Sequence, residues 1–179
     1  MNMRFVFTGG PGSGKTTLLE TLHQQSLCTV PEVARALIRE RNRAGLPPRP
    51  PPREFACAIL QADIHNYHRT PAKQVSLFDR GIVDALAMAK QCGAIPAAYI
   101  DLLSRNFRYH KQVFLFPPWR DIYVTDNERD QTFAEAQEIY AQMRAWYVRC
   151  GYQPVEVPVG NISQRQSFVL SHIHALSKS

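Results

Sequence analysis

Short apolar runs alternate along the chain with longer segments in which apolar residues recur three or four positions apart. The runs are rich in β-branched and aromatic side chains, which is typical of buried strands. Strands are predicted at residues 4–8, 28–31, 74–79, 112–116 and 155–157. Helices are predicted between and after them, at residues 14–25, 32–43, 53–69, 83–92, 97–108, 132–151 and 163–176.

This alternation predicts an α/β fold of three layers, with a parallel sheet covered by helices on both faces. The 179 residues suit one full hydrophobic core, so we expect a single domain over residues 1–179. Residues 45–52 hold five prolines in six positions and cannot be helical. The 44 residues before them are too few for an α/β core. We therefore expect a stiff surface loop joining two helices, with a polyproline ligand for a partner as the alternative.

Two helix starts carry the pattern of a capping box, in which two side chains three positions apart each bond the other's free backbone N–H. Thr132 with Glu135 predicts the start of the long helix before the last strand. Ser163 with Gln166 predicts the start of the final helix.

Composition narrows the class of protein. Hydrophobic residues make up 45% of the chain and charged residues 20%, as in ordinary globular proteins. No segment approaches the roughly 18 consecutive apolar residues of a membrane helix, and the first apolar run is too short for a signal peptide. We therefore expect a cytoplasmic protein without a membrane partner. The four cysteines are scattered without a C-x-x-C pair, so neither a zinc site nor a disulfide framework is expected.

The net charge of +6 raises the question of nucleic acid. The arginines are spread along the chain without a basic run, so nucleic acid is an unlikely partner. A site built for phosphates explains part of the excess charge.

The segment that follows the first strand carries the most specific motif. It fits G-x-x-x-x-G-K-[ST] with the residues Gly9, Gly10, Pro11, Gly12, Ser13, Gly14, Lys15 and Thr16, followed by Thr17. Glycines allow the backbone to turn its N–H groups inward around an anion, and the following helix adds its positive end. We expect Lys15 to reach the β- and γ-phosphates of ATP and Thr16 to place its hydroxyl on Mg²⁺. A chance match in a chain of this length is expected in under roughly one sequence in a hundred.

The motif leaves several classes of nucleotide-binding protein open, and the rest of the chain excludes two. The guanine-reading N-K-x-D of a GTPase is missing from the sequence. A molecular motor would have Asp-Glu at the end of an apolar strand, whereas Asp79 is followed by Arg80. A small phosphotransferase remains.

Four segments carry a resemblance to a known family. They are residues 9–17, 31–35 (P-E-V-A-R), 78–81 (F-D-R-G) and 114–119 (F-L-F-P-P-W). In their order and spacing they resemble the AAA_28-type ATPase/kinase-like domain, which is similar to nicotinamide riboside kinase domains and to nucleoside and nucleotide kinases. The resemblance implies a P-loop kinase fold with a five-stranded parallel sheet in the order 2-3-1-4-5 and a lid over the phosphates.

Two charged residues after strand 2 are candidates for acceptor chemistry. In deoxynucleoside kinases an acid in a Pro-Glu context takes the proton from the acceptor hydroxyl, and Pro31-Glu32 resembles that element. The alternative for Glu32 is a helix-start acid placed on the helix dipole. Arg35 lies one turn further on the same face, where it binds an anionic group of the acceptor or is simply solvated.

Asp79 and Arg80 follow strand 3, and ligands bind at the carboxyl ends of strands in this architecture. We expect Asp79 in the magnesium shell, directly or through water, with a turn-forming role as the alternative. Arg80 resembles the arginine that contacts transferring phosphates in nucleoside kinases. Whether Glu32 or Asp79 is the base stays open.

Arg120 and Arg129 lie in the irregular segment before the long helix, where kinases of this fold carry a lid. The resemblance implies that these arginines stabilise the transferring phosphoryl group. Asp130 stands where a second basic residue is expected in the lid. Trp119 and Tyr123 either stack on a ring of a ligand or pack against the protein.

The sequence thus predicts an ATP- and Mg²⁺-dependent phosphotransferase acting on a small nucleoside- or nucleotide-like acceptor. Two alternatives remain: a regulatory nucleotide-binding ATPase, and a toxin-like kinase of a sugar nucleotide or an RNA end. The identity of the acceptor and the oligomeric state are not predicted.

Overall fold

A computed structural model of the protein describes residues 2–123 and 132–177. In chain order the elements are β1 (Arg4–Gly9), α1 (Lys15–Gln24), β2 (Cys28–Val30), α2 (Val33–Arg43), α3 (Pro52–Arg69), β3 (Ser76–Asp79), α4 (Ile82–Gln91), α5 (Ala97–Asn106), β4 (Gln112–Phe116), a 3-10 turn (Arg120–Ile122), α6 (Phe133–Arg149), β5 (Gln153–Glu156) and α7 (Ile162–Ser177).

The strands form one five-stranded sheet in the order β2-β3-β1-β4-β5, and all four pairings are parallel. The predicted fold class and the predicted strand order are therefore confirmed. Strand β1 is central: Phe7 pairs with Asp79 of β3 on one side and with Phe114 of β4 on the other.

Two hydrophobic clusters cover the two faces of the sheet. Successive side chains of a strand point to opposite faces. Accordingly Val6 belongs to the cluster beneath α2 to α6, whereas Phe5 and Phe7 belong to the cluster beneath α1 and α7. All three are fully buried, and each large apolar side chain contributes about 1.5–3 kcal/mol to the free energy of unfolding.

The capping box at Thr132 is confirmed, because its hydroxyl accepts from Glu135 N and Glu135 Oε2 accepts from Thr132 N. The box predicted for Ser163 with Gln166 is wrong. Asn161 and Gln164 exchange the reciprocal bonds instead, at 2.9 and 3.2 Å, and the helix begins two positions earlier than that pair required. Asn is as good an N-cap as Ser, so the pattern alone did not separate the two starts.

The proline-rich segment connects α2 to α3, as predicted, and α3 begins with Pro52 in its first turn. Proline is favoured there because the first N–H of a helix has no intrahelical partner. Among the described residues, none of the helices combines the length and apolarity needed to cross a bilayer.

The parallel sheet brings the carboxyl ends of its strands to one side of the molecule. Gly9, Val30, Asp79 and Phe116 end four adjacent strands there. The loops that follow these residues carry the candidate site.

Candidate functional site

The loop between β1 and α1 has a backbone that only glycine adopts readily. Gly12 and Gly14 have φ of 66° and 71°, in the left-handed region. Gly14 is the N-cap of α1 and provides no side-chain cap, so the first turn of the helix keeps donors for a ligand. A Cβ on Gly14 would lie 2.6 Å from Arg165 Nη1, so the loop has no room for a larger residue at this position.

The Lys15 ammonium bonds to two other residues of the same loop. Its Nζ donates to the Gly10 carbonyl at 2.9 Å and to Ser13 Oγ at 3.0 Å, and the residue is buried. Burial, with a smaller contribution from Arg80, lowers the pKa of Lys15 to about 8, while nearby carboxylates oppose the shift. A buried ammonium with this pKa is well suited to an anionic ligand that compensates its charge.

Thr16 and Asp79 meet at the entrance to this loop. Thr16 Oγ1 donates to Asp79 Oδ2 at 2.9 Å, and Asp79 is buried. Within the described part of the chain, Asp79 Oδ1 has no hydrogen-bond partner although it is buried. Burial, the largest effect, raises the pKa of Asp79 even though Lys15 lies nearby. A hydroxyl and an unpaired carboxylate oxygen are the hard oxygen donors that Mg²⁺ prefers, so these residues fit a magnesium ion.

Arg80 links two acids that are far apart in the sequence. Its Nε donates to Glu32 Oε1 at 3.2 Å and its Nη1 donates to Asp84 Oδ1 at 3.3 Å. Arg80 has φ of 65°, an uncommon conformation for a residue with a side chain. Glu32 Oε2 also accepts from Arg35 Nε at 3.1 Å.

The electrostatic balance at Glu32 favours the carboxylate. Burial alone would raise its pKa, but Arg80, Lys15 and Arg35 together lower it below the ordinary value. Glu32, Asp84 and Asp79 in turn raise the pKa of the Arg80 guanidinium despite its burial. Glu32 is therefore ionised and ready to accept a proton at neutral pH.

Asp84 is central to the site, and the sequence analysis did not identify it. It accepts from Thr8 Oγ1 at 2.6 Å, from Tyr147 OH at 2.5 Å and from the Gly81 backbone N–H at 3.2 Å. The signal was available: Asp84 is the one acid in an otherwise apolar helix segment, I-V-D-A-L-A-M-A. An acid on a buried helix face requires such partners.

Arg165 of α7 is a second residue that the sequence analysis missed. It is buried, and its Nη2 donates to the Ser13 carbonyl at 2.7 Å. Its guanidinium lies over the rings of Phe116 and Trp119, at 5.0 and 5.9 Å from the centroids. Arg165 therefore fixes the loop between β1 and α1, which we call the phosphate loop, against the end of β4.

A cavity of about 1190 Å³ extends from the phosphate loop to the space beneath α2 and α3. The loop residues from Pro11 to Thr17 line one end, and Glu32, Arg35 and Arg80 line the middle. Side chains of α2, α3, α4 and α6, many of them apolar, line the rest of the cavity. The glycine-rich loop and a second, partly apolar region thus line one cavity.

Of the residues predicted in the segment before the long helix, Arg120 points away from the phosphate loop and Tyr123 packs against it. Arg120, on the 3-10 turn, is exposed and stacks over Phe133 at 4.4 Å from the ring centroid. Tyr123 packs against Gly12 and makes an edge contact with Phe133. Arg129 lies outside the described residues.

The fold is shared with known nucleotide enzymes. A NadR protein in complex with NR has a TM-score of 0.65 at 17% identity, covering 97% of this chain and 51% of that chain. This chain therefore spans about half the length of that NadR chain. The deoxyadenosine kinase from M. mycoides, with dCMP and dCDP bound, has a TM-score of 0.61 at 10% identity, covering 97% of this chain and 100% of that one.

A thymidylate kinase from Candida albicans has a TM-score of 0.55 at 14% identity, covering 98% of this chain and 92% of that chain. No curated protein sequence matches the chain. These structures show that the chain has the fold of P-loop nucleoside and nucleotide kinases.

The family comparison agrees with the motifs of the sequence. The model of the AAA_28 family, described as an AAA domain, matches residues 4–165 and so covers β1 to the first turn of α7. The chain belongs to the AAA_28 family of AAA domains.

Proposed function

We propose that the protein is an ATP- and Mg²⁺-dependent phosphotransferase that acts on a small nucleoside- or nucleotide-like acceptor. One observation carries the proposal: a single cavity joins the phosphate loop to the Glu32–Arg80 ion pair and to an apolar wall. A hydrolase that only releases phosphate does not need the second compartment.

The phosphate loop provides the site for the polyphosphate of ATP. Backbone N–H groups of the loop, from residues other than Pro11, and the start of α1 would face the anion, and Lys15 would exchange its bonds to Gly10 and Ser13 for phosphate oxygens. Phosphoryl transfer depends mainly on positioning and on charge stabilisation, which this arrangement provides.

Thr16 and Asp79 would hold Mg²⁺ through the hydroxyl and the unpaired carboxylate oxygen. The ion supplies charge neutralisation at the phosphates when bound. The position of this pair beside the loop supports the assignment.

Glu32 is the candidate base for the acceptor hydroxyl, and Arg80 the candidate cation for the transferring group. Glu32 is favoured over Asp79 because its lowered pKa keeps it ionised and because Asp79 is already bound to Thr16. Arg35 lies beside Glu32 and suits an anionic group of the acceptor.

The proposal includes residues 1–179 as one nucleotide-binding domain in the cytoplasm. Arg129 is proposed as a lid residue over the phosphates, with Arg120 joining it when its contact with Phe133 is released.

Incubation with γ-labelled ATP, magnesium and a panel of nucleosides, nucleotides and sugar nucleotides tests the function. We expect label to appear on a nucleoside-like acceptor, and Lys15→Ala to abolish transfer. Lys73→Ala, an exposed lysine before β3, is the matched control and should leave transfer unchanged. Stoichiometric release of inorganic phosphate with every acceptor would contradict the proposal and favour a regulatory ATPase; label on a sugar nucleotide alone would favour the toxin-like kinase.

A further inference from the structure

Asp63 is a buried acid with no role in the chemistry described above. It lies on α3, on the same helix face as Phe55 and Ile59, and faces the apolar end of the cavity. Only 5% of the residue is exposed. Its neighbours along this helix face, Phe55 and Ile59, are apolar, so its carboxyl is the polar group that α3 presents at this face.

No hydrogen bond from the described residues reaches the Asp63 carboxyl. The Asp63 oxygens are not among the fully enclosed, unpartnered atoms of the described residues, so the carboxyl opens onto the cavity. Arg80 does not serve as its partner, because Glu32 and Asp84 already engage that guanidinium. A group left in this state at a cavity wall is suited to a ligand.

The surrounding charges determine the form of this carboxyl. Asp84 of α4, Glu32 before α2, Arg80 before α4 and the Tyr109 phenol before β4 are the groups that act on it. Burial, then Asp84 and Glu32, raise the pKa of Asp63 to about 8, and Arg80 opposes them only in part. The carboxyl is therefore largely protonated at neutral pH.

We propose that Asp63 acts as an uncharged carboxylic acid that recognises the acceptor through one donated and one accepted hydrogen bond. Such a group complements a ring that presents an acceptor atom beside an N–H, as the amide or amidine edge of a nucleobase does. It excludes acceptors whose ring is positively charged at this position. The inference rests on the proposed function, since it names the acceptor class of that same cavity.

The protonation state of Asp63 can be tested without any acceptor. Carbon-13 NMR of aspartate-labelled protein, with Asp63→Asn used to assign the signal, should show this carboxyl titrating near pH 8. Titration in the ordinary acidic range would overturn the inference, whatever the protein phosphorylates.

Two variants test the recognition itself. Asp63→Asn retains a donor and an acceptor in the same shape, whereas Asp63→Leu retains neither. At pH 7 and saturating ATP we expect the leucine variant to raise the KM for the acceptor about ten- to hundredfold, and the asparagine variant to change it less than about threefold. The KM for ATP should stay unchanged in both. Asp101→Asn, an exposed acid on α5, is the matched control.

The pH dependence of the acceptor KM distinguishes the protonated Asp63 carboxyl from its carboxylate. Adenosine and cytidine are suitable acceptors because their rings do not titrate in weakly alkaline solution. Above pH 8 the wild-type KM for these acceptors should rise as Asp63 loses its proton, and that of Asp63→Asn should rise less. Lys15 also titrates there, but equally in both proteins, so the difference belongs to Asp63.

Three results would overturn the inference: an unchanged acceptor KM in the leucine variant, an asparagine variant as impaired as the leucine variant, or a preference of the wild type for a pyridinium nucleoside. Failure of wild-type transfer to every acceptor would instead refute the proposed function, and the NMR titration would still decide the state of Asp63.

Discussion

Arg80 and Glu32 are joined through Arg80 Nε and Glu32 Oε1 at 3.2 Å, although 48 positions separate them in the chain. The pairing depends on the adjacent ends of β2 and β3 and on the left-handed backbone of Arg80. It places a carboxylate and a guanidinium side by side where the phosphate loop meets the acceptor end of the cavity.

Replacement of Glu32 by glutamine should lower kcat by about 100-fold or more, since general base catalysis typically contributes that much, while the KM for ATP changes little. Because the pKa of Glu32 is lowered, the base is ionised above its ordinary value of 4.5, so on the acidic side wild-type kcat should fall only below that pH. Initial rates across pH measure both effects. Glu40→Gln, at an exposed position on α2, is the matched control and should behave as wild type. Equal rates for the two variants would show that Glu32 takes no part in the chemical step.

Replacement of Asp79 by asparagine should weaken ligand binding without lowering the stability of the free protein. A carboxyl whose folded pKa is raised loses stability as the pH rises above its ordinary value of 3.8, so the asparagine variant should melt at the same or a higher temperature without ligands. With magnesium and a non-hydrolysable ATP analogue, the thermal shift of the wild type should be largely lost. Scanning calorimetry with and without magnesium checks this, and a full shift in the variant would contradict a magnesium role.

Tyr147→Phe should lower the free energy of unfolding by about 1.5–3 kcal/mol, because the fully buried phenol donates to the Asp84 carboxylate at 2.5 Å. Urea unfolding measures the loss. Tyr99→Phe removes a hydroxyl from a side chain that is 60% exposed and should cost under about 0.5 kcal/mol. A similar cost for both variants would show that the Asp84 network adds little stability.

Gly14→Ala should abolish ATP binding and lower the free energy of unfolding by more than the roughly 1–2 kcal/mol of a left-handed alanine, because its Cβ would press on Arg165. Gly45→Ala is the matched control: Gly45 has φ of 68°, and a Cβ there would meet nothing within 4 Å. The control should show only the backbone cost and full nucleotide affinity. Retained affinity in Gly14→Ala would contradict the proposed loop geometry.

Hydrophobic periodicity predicted the strands and most helix bounds because it is a local pattern, whereas the sheet order was implied by the family resemblance. Residues identified by sequence position, such as Thr16 and Asp79, lie within hydrogen-bond distance because adjacent parallel strands end together.

The sequence did not predict which side chains far apart in the chain contact each other in the folded protein. Arg165 contacts Ser13 across 152 positions, and Asp84 contacts Tyr147 across 63, and no local pattern encodes such distances. Asp63 lies in the helix predicted at residues 53–69, but its place in the cavity wall is visible only in the folded protein. The misassigned capping box at Ser163 has a different cause, since Asn161 and Ser163 both suit an N-cap and tertiary packing selected the first.

Calorimetric titration of the folded protein with a magnesium-bound, non-hydrolysable ATP analogue at pH 7 tests the central claim most directly. Below the Lys15 pKa of about 8 the ammonium is charged, so we expect saturable binding with one site, lost at least about 100-fold in Lys15→Ala and retained in Lys73→Ala. Folded wild-type protein that takes up no nucleoside triphosphate would contradict the account.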